Sequence, residues 1–384
     1  MTQNKSGRQR GYVDYTLIFI ILLLIGFGLI MVYSTSSYSA SVTAATNNDP
    51  VYYLRKQVTA TIFGLVAMVI TAIIPYQFWQ RFDLLAYIVA AFLVLLVLTP
   101  LGYEANGARR WLRIGISVQP AEIAKLALII FLASLVCKMG SSIRTGRGLF
   151  IVLVSPAIIS FMVITITDNM SSAIIIYAIC VIMLFVANPD YKIFVLAAAA
   201  VAVFAALTVF LITKTEGSKF WGFRGARVRA WLNPEAYATS TGYQTLQALY
   251  AIGSGGTFGK GLGQSTQKLG FIPEAQNDMI FSIICEELGL FGGICIVVLF
   301  ILLLWRMMII ANNAPDLFGG LLVVGVMGHI AVQVVLNIAV VTNTIPNTGI
   351  SLPFISYGGS SVVFLLIEMG LVFSVGRSIF FKED

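Results

Sequence analysis

Residues 273–289 read PEAQNDMIFSIICEELG: a polar stretch ending in Asp278, then the start of an apolar run that carries two adjacent carboxylates, Glu286 and Glu287. An apolar run of roughly 20 residues can cross a bilayer as a helix, and the run from 279 to about 304 has that length. Charge inside such a run is expensive, so it calls for a partner or a function. Working outward, nine further runs fall near 15–33, 57–74, 84–101, 119–137, 149–167, 171–187, 192–213, 317–342 and 353–376. The expected fold is an all-α polytopic membrane protein, one domain over 1–384, with ten transmembrane helices and a large structured extracytoplasmic loop, 214–278, between the seventh and eighth. Composition agrees: 58% hydrophobic, only 11% charged, mean hydropathy +0.91.

Ten spans put both termini on one side, and loop cations favour the cytoplasmic side. With the tails 1–14 and 377–384 inside, the inner segments hold Lys5, Arg8, Arg10, Arg81, Lys138, Arg144, Arg147, Lys192, Arg306, Arg377 and Lys382, against Arg55, Lys56, Arg109, Arg110 and Arg113 in the short outer loops. Both termini are therefore expected in the cytoplasm. The first apolar run is full length with no small-residue cleavage motif after it, which reads as a retained span. Cys137, Cys180, Cys285 and Cys295 lie in or at the ends of spans without CxxC spacing, so they imply neither a disulfide framework nor a metal site. No stretch interleaves bases with aromatics as a nucleic-acid groove would.

Within the long loop, GYQTLQALYAIGSGG spaces Leu246, Leu249, Tyr250 and Ile252 as a short amphipathic helix at the membrane surface. The following GSGGTFGKGLG is not a Walker loop, because Ser254 and Gly261 stand where that motif needs Gly and Ser or Thr. It reads instead as a turn whose backbone lies close to another surface, or as an anion nest.

Several ionisable residues are candidates for chemistry. Asp278 fits two readings, an N-cap at the positive end of a helix or a functional acid. Glu122 and Lys125 in QPAEIAKL share a helix face at i,i+3, as a self-neutralising pair or as part of a substrate site. Of Glu286 and Glu287, about 100° apart, at most one can line a cavity with Asp278. Arg109, Arg110 and Arg113 in NGARRWLRIG, with Lys260 and Lys268, gather cations on the outer side, for an anionic ligand such as phosphate or as lipid anchors beside Trp111. Asp168 reads as a turn residue and His329 as a helix-packing hydrogen-bonder. The stretch NTIPNTGISLPFISYGGSS, with Ser356, Gly358 and Gly359, is irregular backbone that membranes tolerate only where it is buried in protein or lines a cavity.

These motifs, with YQTLQALYAIGSGGTFGKGLGQSTQK and PEAQNDMIFSIICEELGLFG, resemble in order and spacing the SEDS family (shape, elongation, division and sporulation), nearly end to end. YSTSSYSA and GQSTQK lean towards its division branch, FtsW, over RodA. Gln276, Asn277 and Met279 depart from the His, Thr and Phe common in the family, DNMSSA from its PDLGTA-like turn, and Thr348 from a lysine of some division-type members. The resemblance implies a peptidoglycan glycosyltransferase of the bacterial cytoplasmic membrane that polymerises lipid II into a growing lipid-linked glycan. It implies partnership with a class B penicillin-binding protein and other divisome or elongasome proteins. It places the essential acid on Asp278, the loop arginine on Arg110 and the fourth-span pair on Glu122 and Lys125. The expected substrate contacts are Arg109, Arg110, Glu122, Lys125, Lys268, Glu286, Ser356, Gly358 and Gly359. Joining a sugar hydroxyl to an anomeric carbon with a diphosphate leaving group needs one base and charge neutralisation for the departing group. No metal ligand set is legible, and a divalent cation, Mg or Mn, is left open as an aid at the diphosphate. Two rival readings are a lipid II flippase and a non-catalytic scaffold for the transpeptidase.

Overall fold

A computed structural model describes residues 12–105, 107–114, 116–214 and 222–379; most of the two tails and residues 215–221 of the long loop lie outside them. The expected apolar runs are helical over most of their length, except at 97–101 and 353–358, where the chain turns. Nine helices among the described residues are long and apolar enough to cross a membrane: α1 (Tyr15–Val42), α2 (Tyr52–Ile73), α5 (Pro120–Met139), α6 (Gly146–Thr167), α7 (Met170–Ala187), α8 (Tyr191–Lys214), α11 (Ile280–Asn312), α12 (Leu317–Val341) and α13 (Gly359–Arg377). This is a multi-pass membrane protein. Between α2 and α5 lie the short α3 (Gln77–Gln80) and α4 (Asp83–Leu96), which at 14 residues is shorter than the expected run 84–101. Its end is set by Pro100, which disfavours helix at the residue before it.

One departure from an all-helical chain follows. The NGARRWLRIG segment lies in a three-stranded antiparallel meander, β1 (Gly102–Ala105), β2 (Ala108–Ile114) and β3 (Ile116–Val118). An Asn-Gly pair between two short runs is a hairpin signal, and Gly107 takes the positive φ, +74°, that such turns use.

The bundle closes where small residues let helices approach. A Cβ on Gly64 of α2 would sit 2.6 Å from Leu366 of α13, and one on Gly370 2.6 Å from the Met68 carbonyl oxygen. By contrast α8 buries only Ile212 and leaves most of its apolar surface exposed. The rest of the long loop carries two α-helices, α9 (Gly222–Leu232) and α10 (Tyr243–Gly255), followed by irregular chain over 256–278. Helix α10 is the short helix expected there, but it packs Leu246, Ala248 and Ala251 into protein, on α11, and leaves Tyr250 exposed.

The feature that positions the site is a break in α11. Gly289, at φ 71° and ψ −172°, interrupts the helix two residues after Glu287. The glycine-rich segment fills the gap: Lys260 N and Gly261 N donate to the Glu286 and Glu287 carbonyls at 3.0 and 2.9 Å, and Leu290 N and Phe291 N donate to the Gly256 and Thr257 carbonyls at 2.9 and 3.1 Å. Irregular backbone at membrane depth is thereby satisfied by protein. The glycines are required by closeness, since a Cβ on Gly259 would lie 2.2 Å from the Glu287 carbonyl oxygen at a φ of +79°. Gly259→Ala is expected to destabilise the chain by about 2–3 kcal/mol, from αL strain and overlap together. Gly253→Ala, whose Cβ meets nothing within 4 Å, serves as the control with little change in thermal melting in detergent.

Candidate functional site

The loop 273–279 ends at Asp278, and its path is fixed from two sides. Asn337 Nδ2 of α12 donates to the Asp278 carbonyl at 2.8 Å and to the Ile350 carbonyl at 2.7 Å, while Tyr357 N donates to the Gln276 carbonyl at 2.8 Å. The 343–358 segment thus lies alongside, and a Cβ on Gly349, at φ +70°, would come 3.7 Å from Asp278 Oδ2. Met279 is the N-cap of α11 and makes no side-chain capping bond. The capping reading of Asp278 therefore fails, and its carboxylate is available for other work. The side chain is half-buried, and burial pushes its carboxyl up to about 6. Its own backbone N–H and Arg227 pull the other way, while Glu274, itself raised by burial, adds to the rise.

Two guanidiniums share this neighbourhood. Arg110 on β2 donates from Nε to the Thr167 carbonyl at 3.1 Å and from Nη2 to the Asp168 carbonyl at 2.8 Å. Asp168 is the αL residue that ends α6, which is the turn role expected of it. Arg227 on α9 donates to the Asn347 carbonyl at 3.0 Å. Burial holds both guanidiniums below the usual arginine range; Arg110 presses Arg227 further down, and Asp278 and Asp168 oppose this. Arg110, Arg227, Asp168 and Asp278 therefore form one electrostatic cluster. Sequence reasoning missed Arg227. The signal was there: Arg227 and Trp231 are one turn apart, and Trp231 Nε1 donates to the Asn343 carbonyl at 3.0 Å, so one face of α9 docks on the 343–347 segment.

Arg109 is not part of that cluster. Neighbours on a strand point to opposite faces, and its guanidinium donates to the Gly102 carbonyl at 3.0 Å and to the Thr99 carbonyl, bracing the hairpin. Glu122 and Lys125 pair at 2.9 Å in the buried bundle, with Ser361 Oγ of α13 donating to Glu122 at 3.4 Å. Just before α13, Gln57 of α2 clamps the turn, donating to the Ser356 carbonyl at 3.3 Å and accepting from Gly358 N at 3.1 Å; Ser356 Oγ accepts from Leu352 N. Gly359 opens α13 beside Ala60. His329 lies 2.8 Å from Glu368 Oε2, a helix-packing contact whose carboxylate comes from another span.

Glu286 turns to the glycine-rich segment and the residues just after it, and Glu287 to Lys268 and α1. Glu286 pairs with Lys260 at 2.6 Å and accepts from Ser265 Oγ, Thr266 N and Gln267 N. Glu287 pairs with Lys268 at 2.7 Å and accepts from Ser34 Oγ at 2.9 Å. The structure thus joins Lys268 and Glu286 to these anchors and not to Asp278. Among the described residues no three His, Cys, Asp or Glu side chains converge as a metal site.

Residues 15–379 match the family model FtsW/RodA/SpoVE, described as cell cycle protein. Stage V sporulation protein E of Bacillus subtilis is 38% identical over 367 residues, covering 95% of this chain and 97% of that protein. A probable peptidoglycan glycosyltransferase FtsW of Trichlorobacter lovleyi is 37% identical over 369 residues, covering 95% and 93%. Among solved structures, a chain from a peptidoglycan synthase complex that coordinates polymerization and crosslinking aligns with a TM-score of 0.78 at 25% identity, over 97% of this chain and 99% of that one. The rod shape determining protein RodA of Thermus thermophilus shares the fold, with a TM-score of 0.69 at 24% identity over 97% and 98%.

Proposed function

The chain belongs to the FtsW/RodA/SpoVE family of cell cycle proteins, and we propose that it is a peptidoglycan glycosyltransferase that polymerises lipid II into glycan strands. The observation that carries the mechanism is a half-buried carboxyl, Asp278, raised to about 6 in one electrostatic cluster with two half-buried guanidiniums, Arg227 and, through it, Arg110. A general base works best with a pKa near the operating pH. Asp278 takes the proton from the acceptor sugar hydroxyl as its oxygen attacks the anomeric carbon of the donor. The bond from that carbon to the diphosphate oxygen breaks, and the lipid diphosphate leaves with the electron pair. Arg110 and Arg227 neutralise it, which a weakly basic leaving group needs in place of a proton. One displacement inverts the anomeric centre. The buried Glu122–Lys125 pair supports the wall near the start of α13.

The same reading puts the chain in the bacterial cytoplasmic membrane with both termini cytoplasmic, and the end of the bundle carrying β1–β3, α9 and α10 outward. Its partner is a class B penicillin-binding protein, in keeping with the likeness to a chain of a synthase complex. The test is glycan synthesis from lipid II in detergent, by the purified chain with and without that transpeptidase, its own active site disabled. Detergent offers no second leaflet, so a flippase makes no polymer there and a scaffold makes none anywhere. Because the base acts ionised, the rate should rise with pH through about 6. At pH 5 it is expected at about one-tenth of its plateau. A flat profile from pH 5 to 8 overturns Asp278 as the base.

A further inference from the structure

His329, Gln333 and Asn337 stand one turn apart on one face of α12, spanning about 12 Å, and are 1%, 2% and 0% exposed. Each turns one polar atom to the protein. Asn337 Nδ2 holds the carbonyls of Asp278 and Ile350, Gln333 Nε2 donates to the Ser351 carbonyl at 3.0 Å, and His329 Nδ1 faces Glu368. The amide orientations are fixed by these partners, because flipping either would set oxygen against carbonyl oxygen. The other polar atom of each, Asn337 Oδ1, Gln333 Oε1 and His329 Nε2, is buried with no hydrogen-bond partner among the described residues. Buried polar atoms in native proteins nearly always have a partner, protein or water, and three exceptions in a row on one helix face need a common one. Two hydroxyls, Thr348 Oγ1 in the 343–358 segment and Ser360 Oγ at the start of α13, are also buried without partners among the described residues.

We propose that α12 is the template of the Asp278 site: Asn337 is a positioning residue that sets Asp278 and Ile350 on one amide, and its oxygen continues with Gln333 and His329 into a file of bound internal waters. The inference rests on Asp278 being the base. Its logic is geometric. A single donor group fixes two chain segments that are otherwise irregular, the loop that carries the base and the loop that faces it at Gly349. Internal waters, each with two to four polar partners, then satisfy the amide oxygens where they are, so that the nitrogens stay on the backbone carbonyls and the clamp has one stable orientation.

The test uses the full chain with its transpeptidase partner. Asn337→Asp keeps the shape and replaces the double donor with an oxygen. With thermal melting showing the variant folded, kcat is expected to fall about 100-fold, the cost of a misplacement near 1 Å, with KM for lipid II within about twofold. A folded variant with wild-type kcat, or one whose KM rises while kcat holds, overturns the positioning role. Should Asn337→Asp not fold, the wild type decides: a structure that resolves ordered solvent should show water within hydrogen-bond reach of Asn337 Oδ1, Gln333 Oε1 and His329 Nε2. A dry face with these atoms bonded to protein overturns the proposal. Failure is separable from failure of the underlying reading, since an active Asp278→Asn chain removes the base and leaves the waters in place. A dead Asp278→Asn beside a fully active Asn337→Asp removes only the clamp.

Discussion

Asp278→Asn is expected to lower glycan polymerisation by about 1000-fold or more, within the range a positioned general base contributes, in a chain that folds and inserts normally. The residue is tied to the protein through its carbonyl, on Asn337, and the asparagine keeps that bond. Its side chain caps no helix. The sign of the stability change also follows. Burial raises the folded carboxyl to about 6, so the wild type is penalised when Asp278 ionises, as pH climbs from the ordinary carboxylate range through about 6. The neutral amide escapes that penalty. The variant should therefore melt at or above the wild-type temperature at pH 7, and the difference should vanish near pH 3, where both side chains are neutral. Glycan products on a gel, with melting at the two pH values, check both halves. Near-normal polymer from this variant would remove Asp278 from the mechanism; a large loss with an intact fold is the outcome the geometry requires.

Much of this was legible in the chain before any coordinates, for physical reasons that differ from residue to residue. The spans declare themselves because about 20 apolar residues have no other use. Asp278 could be singled out by position, but position could not set aside the cap reading; that needed the backbone of Met279, which shows where the helix begins. Arg227 stayed hidden because its meaning is tertiary, arising only when α9 docks on 343–347. Arg109 and Arg110 looked equivalent in sequence, and strand alternation parts them. For Glu286 and Glu287, helical periodicity allowed at most one to face Asp278. The break at Gly289 lets the glycine-rich segment bond the Glu286 and Glu287 backbone carbonyls, while Lys260 and Ser265 take the Glu286 carboxylate and Lys268 and Ser34 that of Glu287. A helix break stabilised by a distant loop leaves little trace in local pattern beyond the glycines themselves.

The second large effect concerns those anchors. Lys268→Ala is expected to destabilise the chain by about 3–5 kcal/mol, because it strands a buried charge. Glu287 is fully buried and Lys268 nearly so, at 2.7 Å from each other, with Ser34 the further partner of both. Replacing the pair together, Lys268→Met with Glu287→Leu, should recover most of the loss, since apolar residues of similar volume carry no desolvation cost and only Ser34 is left to rebond. The recovery is what distinguishes a scaffold from a substrate contact. If the pair only pins the glycine-rich segment into the break of α11, the double variant polymerises lipid II within a few-fold of wild type while the single variant melts early. If instead Lys268 holds the substrate, the double variant is as stable as wild type and still inactive. Melting in detergent and polymer yield for the two single variants and the double complete a cycle whose coupling should favour the apolar pair over either half alone. Glu286, one residue away with Lys260, Ser254, Ser265 and two backbone amides around it, should tolerate no comparable replacement, because five donors would then lose their acceptor at once.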